Sequence, residues 1–293
     1  MKYKRNAWEM TAQVVLYLLL IILAIVTFYP MWHVLMASFS DGNRIVQHTG
    51  LLFAPTGWST AAYEVVLQNS SIISGYINTI FYVLVGTSLN LVLTTLGAYV
   101  LSRRNFLWRT PAMMLILFTM FFTGGMIPTF LLVEGLGLVD TRLALILPSA
   151  INTYNLVIMR TSFAAVPESL EESAKIEGAN DFTILIRIFV PVSGSVIAVM
   201  VLYYAVAHWN SWFPALLYLR TRALYPLQLI LREILIMNSM DSMRENIDFG
   251  DLDRVTDTVK YATIVVATLP ILLLYPFLQK YFVKGVMIGA VKG

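Results

Sequence analysis

Apolar residues gather along this chain into six long runs, at about Ala12 to Met36, Tyr76 to Val100, Thr110 to Val133, Leu143 to Arg160, Val192 to Tyr218 and Ala262 to Phe282. Each is long enough for an α-helix to cross a hydrocarbon slab of ~30 Å. Lipid offers the backbone no hydrogen-bond partner, and the strict alternation of barrel strands is missing, so the runs predict helices. The expected fold is all-α: one polytopic membrane domain over residues 1–293 with six transmembrane helices. Composition agrees, since 58% of the 293 residues are hydrophobic and only 13% charged, against roughly 45–50% and 25% in soluble domains. Cysteine is absent, which excludes disulfides and thiolate chemistry. A net charge of +3 offers little to nucleic acid, so none is expected as a partner.

The first run follows Lys2, Lys4 and Arg5, but it is too long for a signal-peptide core and lacks a small-x-small cleavage site, so it reads as a retained anchor. A cytoplasmic N-terminus puts Arg103, Arg104, Arg109, Arg160, Lys175, Arg187, Lys280, Lys284 and Lys292 on the same side as the first three. The short outer loops then keep only Arg44 and Arg142, which satisfies the positive-inside rule with both termini cytoplasmic. Outer loops fall at 37–75 and 219–261, and the main cytoplasmic loop at 164–191. The apolar stretch Leu224 to Met240 carries Arg232 and Glu233 at its middle, a costly pair to insert. It predicts an amphipathic helix at the outer interface, with Leu227, Leu231, Ile234 and Leu235 facing the membrane or the bundle.

The 164–191 loop has the grammar of folded structure. Pro167 suits a helix start, Glu168, Glu171 and Glu172 suit the positive end of the helix dipole, and Gly178 suits a left-handed stop. A second apolar segment, with Ile184, Leu185, Ile188 and Phe189, then runs to Pro191.

Glu172, Ser173, Ala174, Glu177, Gly178, Ala179, Ile188 and Pro191 together resemble the EAA motif of binding-protein-dependent ABC importer permeases, E-A-A, three residues, G, nine residues, I, one residue, L-P. Ser173, Glu177 and Val190 depart mildly from it. Tyr29-Pro30-Met31-Trp32, Asn78-Thr79, Trp209-Asn210 and the ending Gly289-Ala290-Val291-Lys292-Gly293 are similar to the carbohydrate branch, the maltose-type second permease, and among these to complex-saccharide importers such as those for alginate. The resemblance implies the type I ABC importer fold and a bacterial cytoplasmic-membrane location. It also implies several partners: a second homologous permease, a dimer of cytoplasmic ATPase subunits that bind ATP and magnesium, an extracytoplasmic solute-binding protein and a saccharide. This chain itself carries no P-loop lysine, since none of its lysines precedes Ser or Thr. No catalytic, cofactor or metal site is expected in it.

On this resemblance Glu172 contacts a basic group of the ATPase, Ala174 allows close approach, and Gly178 permits the turn. The tail residues Ala290, Val291, Lys292 and Gly293 enter between the ATPase subunits. Polar residues inside spans tend to face a cavity, and sugars are held by aromatic faces and amides. Asn78, Asn152, Tyr203, Tyr204, His208, Trp209, Asn210 and Trp212 are therefore the candidate substrate path, with Arg220 and Arg222 near its outer end. Two rival readings lack support. A secondary transporter needs carboxylates within the spans, and a membrane transferase needs a carboxylate cluster in better context than Asp248, Asp251 and Asp253. Cytoplasmic termini predict that a C-terminal tag is labelled by an impermeant reagent only after cells are opened, whereas labelling in intact cells would require a seventh crossing.

Overall fold

The computed structural model describes residues 7–236 and 258–273. Lys2 to Arg5, the acidic stretch Asp241 to Asp257, the end of the sixth run beyond Leu273, and the tail through Ala290, Val291, Lys292 and Gly293 lie outside the described residues. The described chain is helical, with one antiparallel bridge between Ser40 and Trp58. Its helices are α1 Ala7–Ser38, α2 Gly42–Gln47, α3 Ala61–Gln68, α4 Ser70–Ser102, α5 Arg109–Phe121, α6 Met126–Gly135, α7 Leu143–Ile146, α8 Thr153–Ala164, α9 Glu168–Ile176 and α10 Asp181–Ile184. A π turn, Leu185–Phe189, leads into α11 Val190–Val192, α12 Gly194–Trp209, α13 Phe213–Tyr218 and α14 Leu227–Ile236. The last described helix is α15, Thr258–Leu273.

Six unbroken crossings are not what these helices form. Among the described residues, only α1, over Met10–Ser38, and α4 are long and apolar enough to cross a bilayer unaided. The third run is the pair α5 and α6, bent by 113° where Gly124 and Gly125 interrupt the helix. The fourth breaks after α7 because Pro148 has no N–H to continue the ladder, and α8 restarts only where the Asn152 side chain accepts the Asn155 N–H. In the fifth, the Asp181–Val192 segment meets α12 at 86°, and Asn210 to Trp212 separates α12 from α13.

Broken helices expose carbonyls and N–H groups that lipid cannot satisfy. Those groups are met by α4, which buries a stripe of Asn78, Tyr82, Gly86, Asn90, Thr94, Ala98 and Ser102, one residue per four along its length. Asn78 Nδ2 donates to the carbonyls of Ala223 (2.7 Å) and Tyr225 (3.1 Å), and Tyr82 donates to that of Leu224 (2.8 Å). Thr79 beside them accepts the first N–H of α14, from Leu227, at 2.8 Å. Asn90 Nδ2 donates to Ser149 (2.6 Å) and Ala150 (2.9 Å), in the gap between α7 and α8. One polar face thus anchors both interruptions.

Two compact units result, described here separately: Met1–Ser70 with Glu233–Leu269, and Ser71–Arg232 with Pro270–Gly293. In the first, the 37–75 loop folds back on the end of α1. Tyr29 accepts the Leu52 N–H (2.8 Å), Trp32 Nε1 donates to Phe53 (3.1 Å), and Phe39 stacks on Trp58 with ring centroids 4.9 Å apart. The Tyr29-to-Trp32 signature therefore serves as a loop anchor. In the second, Asp140 adopts a left-handed φ of 61° and accepts the N–H groups of Arg220 and Thr221, both at 2.8 Å, so Arg220 and Arg222 start from a fixed turn. The hydroxyl of Thr221 donates as well, and with these bonds holds the Asp140 carboxyl below its ordinary range.

The helix expected at 224–240 is present as α14, but its face is rotated. Leu227, Leu229, Ile230 and Ile234 are buried, while Leu231 and Leu235 are only half-buried. Arg232, unwelcome in lipid, lies over the Trp212 ring at 4.9 Å. Replacing Asn78 by Leu strips the carbonyls of Ala223 and Tyr225, and Arg142, of their part-buried partner. The expected cost is about 1–3 kcal/mol, read as a lower thermal midpoint of the detergent-purified protein.

Candidate functional site

Two features stand apart from the packed helices: the exposed side of the 164–191 loop and a large cavity beside α12. In the loop, Pro167 is the residue before the first turn of α9, and Glu168 and Glu171 lie within that turn, where the helix dipole favours them. The other end closes as a Schellman motif. Gly178 has φ +84°, its N–H reaches Lys175 at 3.0 Å, and the Ala179 N–H reaches Ala174 at 2.9 Å. A Cβ on Gly178 would meet nothing within 4 Å, so glycine is required there by conformation and not by space.

Ala174 and Ala179 pack against a core that includes Phe163, Leu185 and Phe189. The opposite side shows Glu172, Ser173, Glu177 and Gly178 to solvent, with Ile176 87% exposed and Phe182, on α10, 66% exposed. Glu172 makes no ion pair among the described residues. Ile188 sits half-buried in the π turn, which is closed by a Val190 N–H bond to Leu185. Pro191, one residue later, has no N–H of its own, and the wider turn accommodates it.

Behind α9 lies a polar groove of about 560 Å³. Glu171 occupies it, ion-paired to Arg103 and, at 2.7 Å, to Lys175. Burial works against the Glu171 carboxylate, yet the hydrogen bonds and charges of Lys175 and Arg103 outweigh it and hold the carboxyl below its usual range. The Arg104–Glu168 pair at 2.8 Å is open to solvent and contributes little.

The cavity measures about 920 Å³ and is mostly apolar, with amide and aromatic groups set into its wall. Asn152, Tyr203, Tyr204, His208, Trp209 and Asn210 line it, as do Tyr154, Asn155 and Ser149. Two of the eight expected path residues are placed elsewhere: Asn78 ties down the 223–225 backbone, and Trp212 lies under Arg232. Several wall residues are held rigidly. Asn90 has committed both amide hydrogens to carbonyls, so its oxygen faces His208 (2.7 Å) and the imidazole must carry its proton on Nε2. Tyr204 shares a 2.7 Å bond with Thr94 and accepts the Asn152 N–H at 3.3 Å. Trp209 is buried edge-on to Tyr76, with its Nε1 sealed from solvent.

Sequence reasoning passed over Arg103, Gly86 and Thr94. Arg103 looked like an ordinary boundary arginine, and Gly86 and Thr94 carry no signal until the four-residue stripe of α4 is noticed. The pattern Asn78, Tyr82, Gly86, Asn90, Thr94 was available to find it.

Comparison with known proteins adds an independent line. Residues 94–288 match the family model described as "Binding-protein-dependent transport system inner membrane component". The polygalacturonan/rhamnogalacturonan transport system permease protein YtcP of Bacillus subtilis is 44% identical over 279 residues, covering 95% of this chain and 97% of that one. Protein LplC of the same organism is 41% identical, covering 92% and 90%. A crystal structure of a bacterial ABC transporter involved in the import of the acidic polysaccharide alginate contains a chain that superposes with a TM-score of 0.87 at 32% identity, covering 95% of this chain and 99% of that one.

The cavity wall yields a steric prediction. A Cβ at position 86 would stand 2.4 Å from His208 Nε2, so Gly86→Ala is expected to expel the imidazole, orphan the Asn90 oxygen and lower both thermal midpoint and transport without loss of membrane insertion. Adding His208→Ala to Gly86→Ala should relieve the clash and recover part of the midpoint, the Asn90 oxygen staying without its partner, but not transport, as measured on the purified protein and in vesicles.

Proposed function

The chain belongs to the binding-protein-dependent transport system inner membrane components, and from that premise we propose how it works as the permease of an ATP-driven ABC importer for oligo- or polysaccharide. The observation that carries the mechanism is α9. It is a short helix closed by the left-handed Gly178, packed through Ala174 on one side and presenting Glu172, Ser173 and Ile176 on the other, with Glu172 in no ion pair among the described residues.

In this reading α9 is the coupling helix. Glu172 meets a basic group of a cytoplasmic ATPase subunit through a charge-assisted bond, while Ile176 and Phe182 add apolar contact. Closure of the ATPase dimer, which supplies ATP hydrolysis with its own magnesium, moves α9, and the bent helices convert that motion into inward- and outward-open states. The tail Ala290 to Gly293 enters between the two ATPase subunits. Six membrane segments, the first two continuous, the third to fifth bent or broken and the sixth containing α15, leave both termini cytoplasmic in the bacterial inner membrane. A second, homologous permease completes the pore, and a solute-binding protein delivers substrate at the outer loops.

The substrate passes the α12 cavity, where Tyr203, Tyr204 and Trp209 supply aromatic surface and Asn152, Asn155 and Asn210 supply amides. An acidic saccharide is the favoured cargo: the YtcP name and the alginate importer both concern acidic polysaccharides. Arg220 and Arg222, on the turn held by Asp140, offer it positive charge at the outer end.

Gly178→Asp and Glu172→Lys are expected to abolish uptake and substrate-stimulated ATP hydrolysis in vesicles carrying the whole complex, with normal amounts of permease in the membrane. Uptake that survives Gly178→Asp would refute docking through α9. Gradient-driven uptake by this chain reconstituted alone would instead make it a secondary carrier.

A further inference from the structure

We propose that Arg103 is the positioning residue through which movement of α9 reaches the membrane helices, so that its loss lets ATP hydrolysis continue while saccharide transport fails. The inference rests on the reading of α9 as the ATPase contact and adds the link inside this chain that the motif residues do not supply.

Arg103 follows directly on α4, and its side chain is only 11% exposed. One guanidinium nitrogen pairs with Glu171 on α9. Another donates to the Phe163 carbonyl, 3.1 Å away near the end of α8, and to the Ser102 hydroxyl at 3.0 Å. The guanidinium carbon lies 4.2 Å from the ring centroid of Phe189, the last residue of the π turn, and 5.3 Å from that of Tyr99. Phe189 is fully buried and meets Tyr99 and Phe163 edge-on at 5.2 and 5.6 Å. A single planar cation therefore touches α4, α8, α9 and the π turn.

The geometry suits force transmission. The inner side of α9 is small, with Ala174 and, just past its end, Ala179 in contact, so little apolar interlocking holds it to the bundle. Glu171 is the one α9 carboxylate with an ion pair shielded from solvent, the one to Arg103, because Arg104–Glu168 is open, Lys175 is exposed and Glu172 is unpaired among the described residues. A push on the outer face of α9 passes through Glu171 to Arg103. From there it reaches Phe189, one step before the 86° bend into α12, whose later turns line the cavity. That bend is the two-state element the coupling requires. Lysine is not an equivalent: its ammonium lacks the flat face that stacks on Phe189 and the fork that serves three acceptors at once.

The test uses the whole complex in proteoliposomes, comparing wild type with Arg103→Gln, Arg103→Lys and Glu171→Gln. Transport and ATP hydrolysis are measured together, and docking is monitored by a cross-link from Ser173→Cys to the ATPase subunit. Arg103→Gln should keep the cross-link and lower transport by roughly tenfold, within the range by which residues between two sites alter their coupling, while hydrolysis falls much less. The ATP consumed per saccharide rises, and Arg103→Lys and Glu171→Gln lie between. An unchanged ratio in all three overturns the proposal. Should Arg103→Gln fail to insert, the ratio in Arg103→Lys decides it. Absence of the cross-link with native Arg103 refutes the α9 reading itself, whereas a cross-link with an unchanged ratio removes Arg103 alone.

Discussion

The dominant constraint on this molecule is that backbone groups inside a bilayer have no water to turn to. Helices that run unbroken meet it by themselves, as α1 and α4 do. The break between α7 and α8 meets it because α4 offers Asn90 to its carbonyls, and the same helix offers Asn78 and Tyr82 to the turn that leads into α14 and Thr79 to the first amide of α14. α4 is therefore less a membrane anchor than a polar spine for its broken neighbours. Its stripe of small and hydrogen-bonding residues lets them approach closely and stay satisfied.

That spine also explains why breaks are tolerable where the cavity forms. The gap at Ser149 and Ala150 is held by Asn90, whose remaining oxygen fixes His208, while Thr94 and Asn152 fix Tyr204. The cavity wall is thus part of the network that satisfies the interruptions. A rigid wall of amides and aromatic rings suits a saccharide, which is recognised by directed hydrogen bonds together with stacking on its C–H faces.

At the other end of α4 the same helix finishes in a charged junction. Ser102 and Arg103 meet Glu171, Phe163 and Phe189 there, so the 164–191 loop is fastened at the end of the same continuous element whose middle holds the cavity wall. Glu171 titrates lower when folded, so the stability of this junction is complete above the ordinary glutamate value of 4.5 and is lost as pH falls through the lowered one. It is intact at neutral pH. Among the relatives that match nearly the full chain is a polysaccharide transport system permease, in agreement with an architecture built for transport.

What the amino-acid order determined by itself was local. Apolar runs fix which segments prefer lipid, because transfer free energy adds residue by residue. Pro167, the acidic first turn and Gly178 fix α9, because caps and left-handed stops act within a turn of the chain, and the EAA spacing identified the loop for the same reason. The tertiary structure decided where the runs would break and what would repair them, which face of α14 is buried, that Asn78 and Trp212 stand away from the cavity, and that Arg103 joins four elements. Those outcomes depend on partners such as Asn78 and Ala223, 145 residues apart, or Arg103 and Glu171, 68 apart. Helical periodicity reports which side of a helix is polar, but the atom that each polar group finds is set only when distant segments pack.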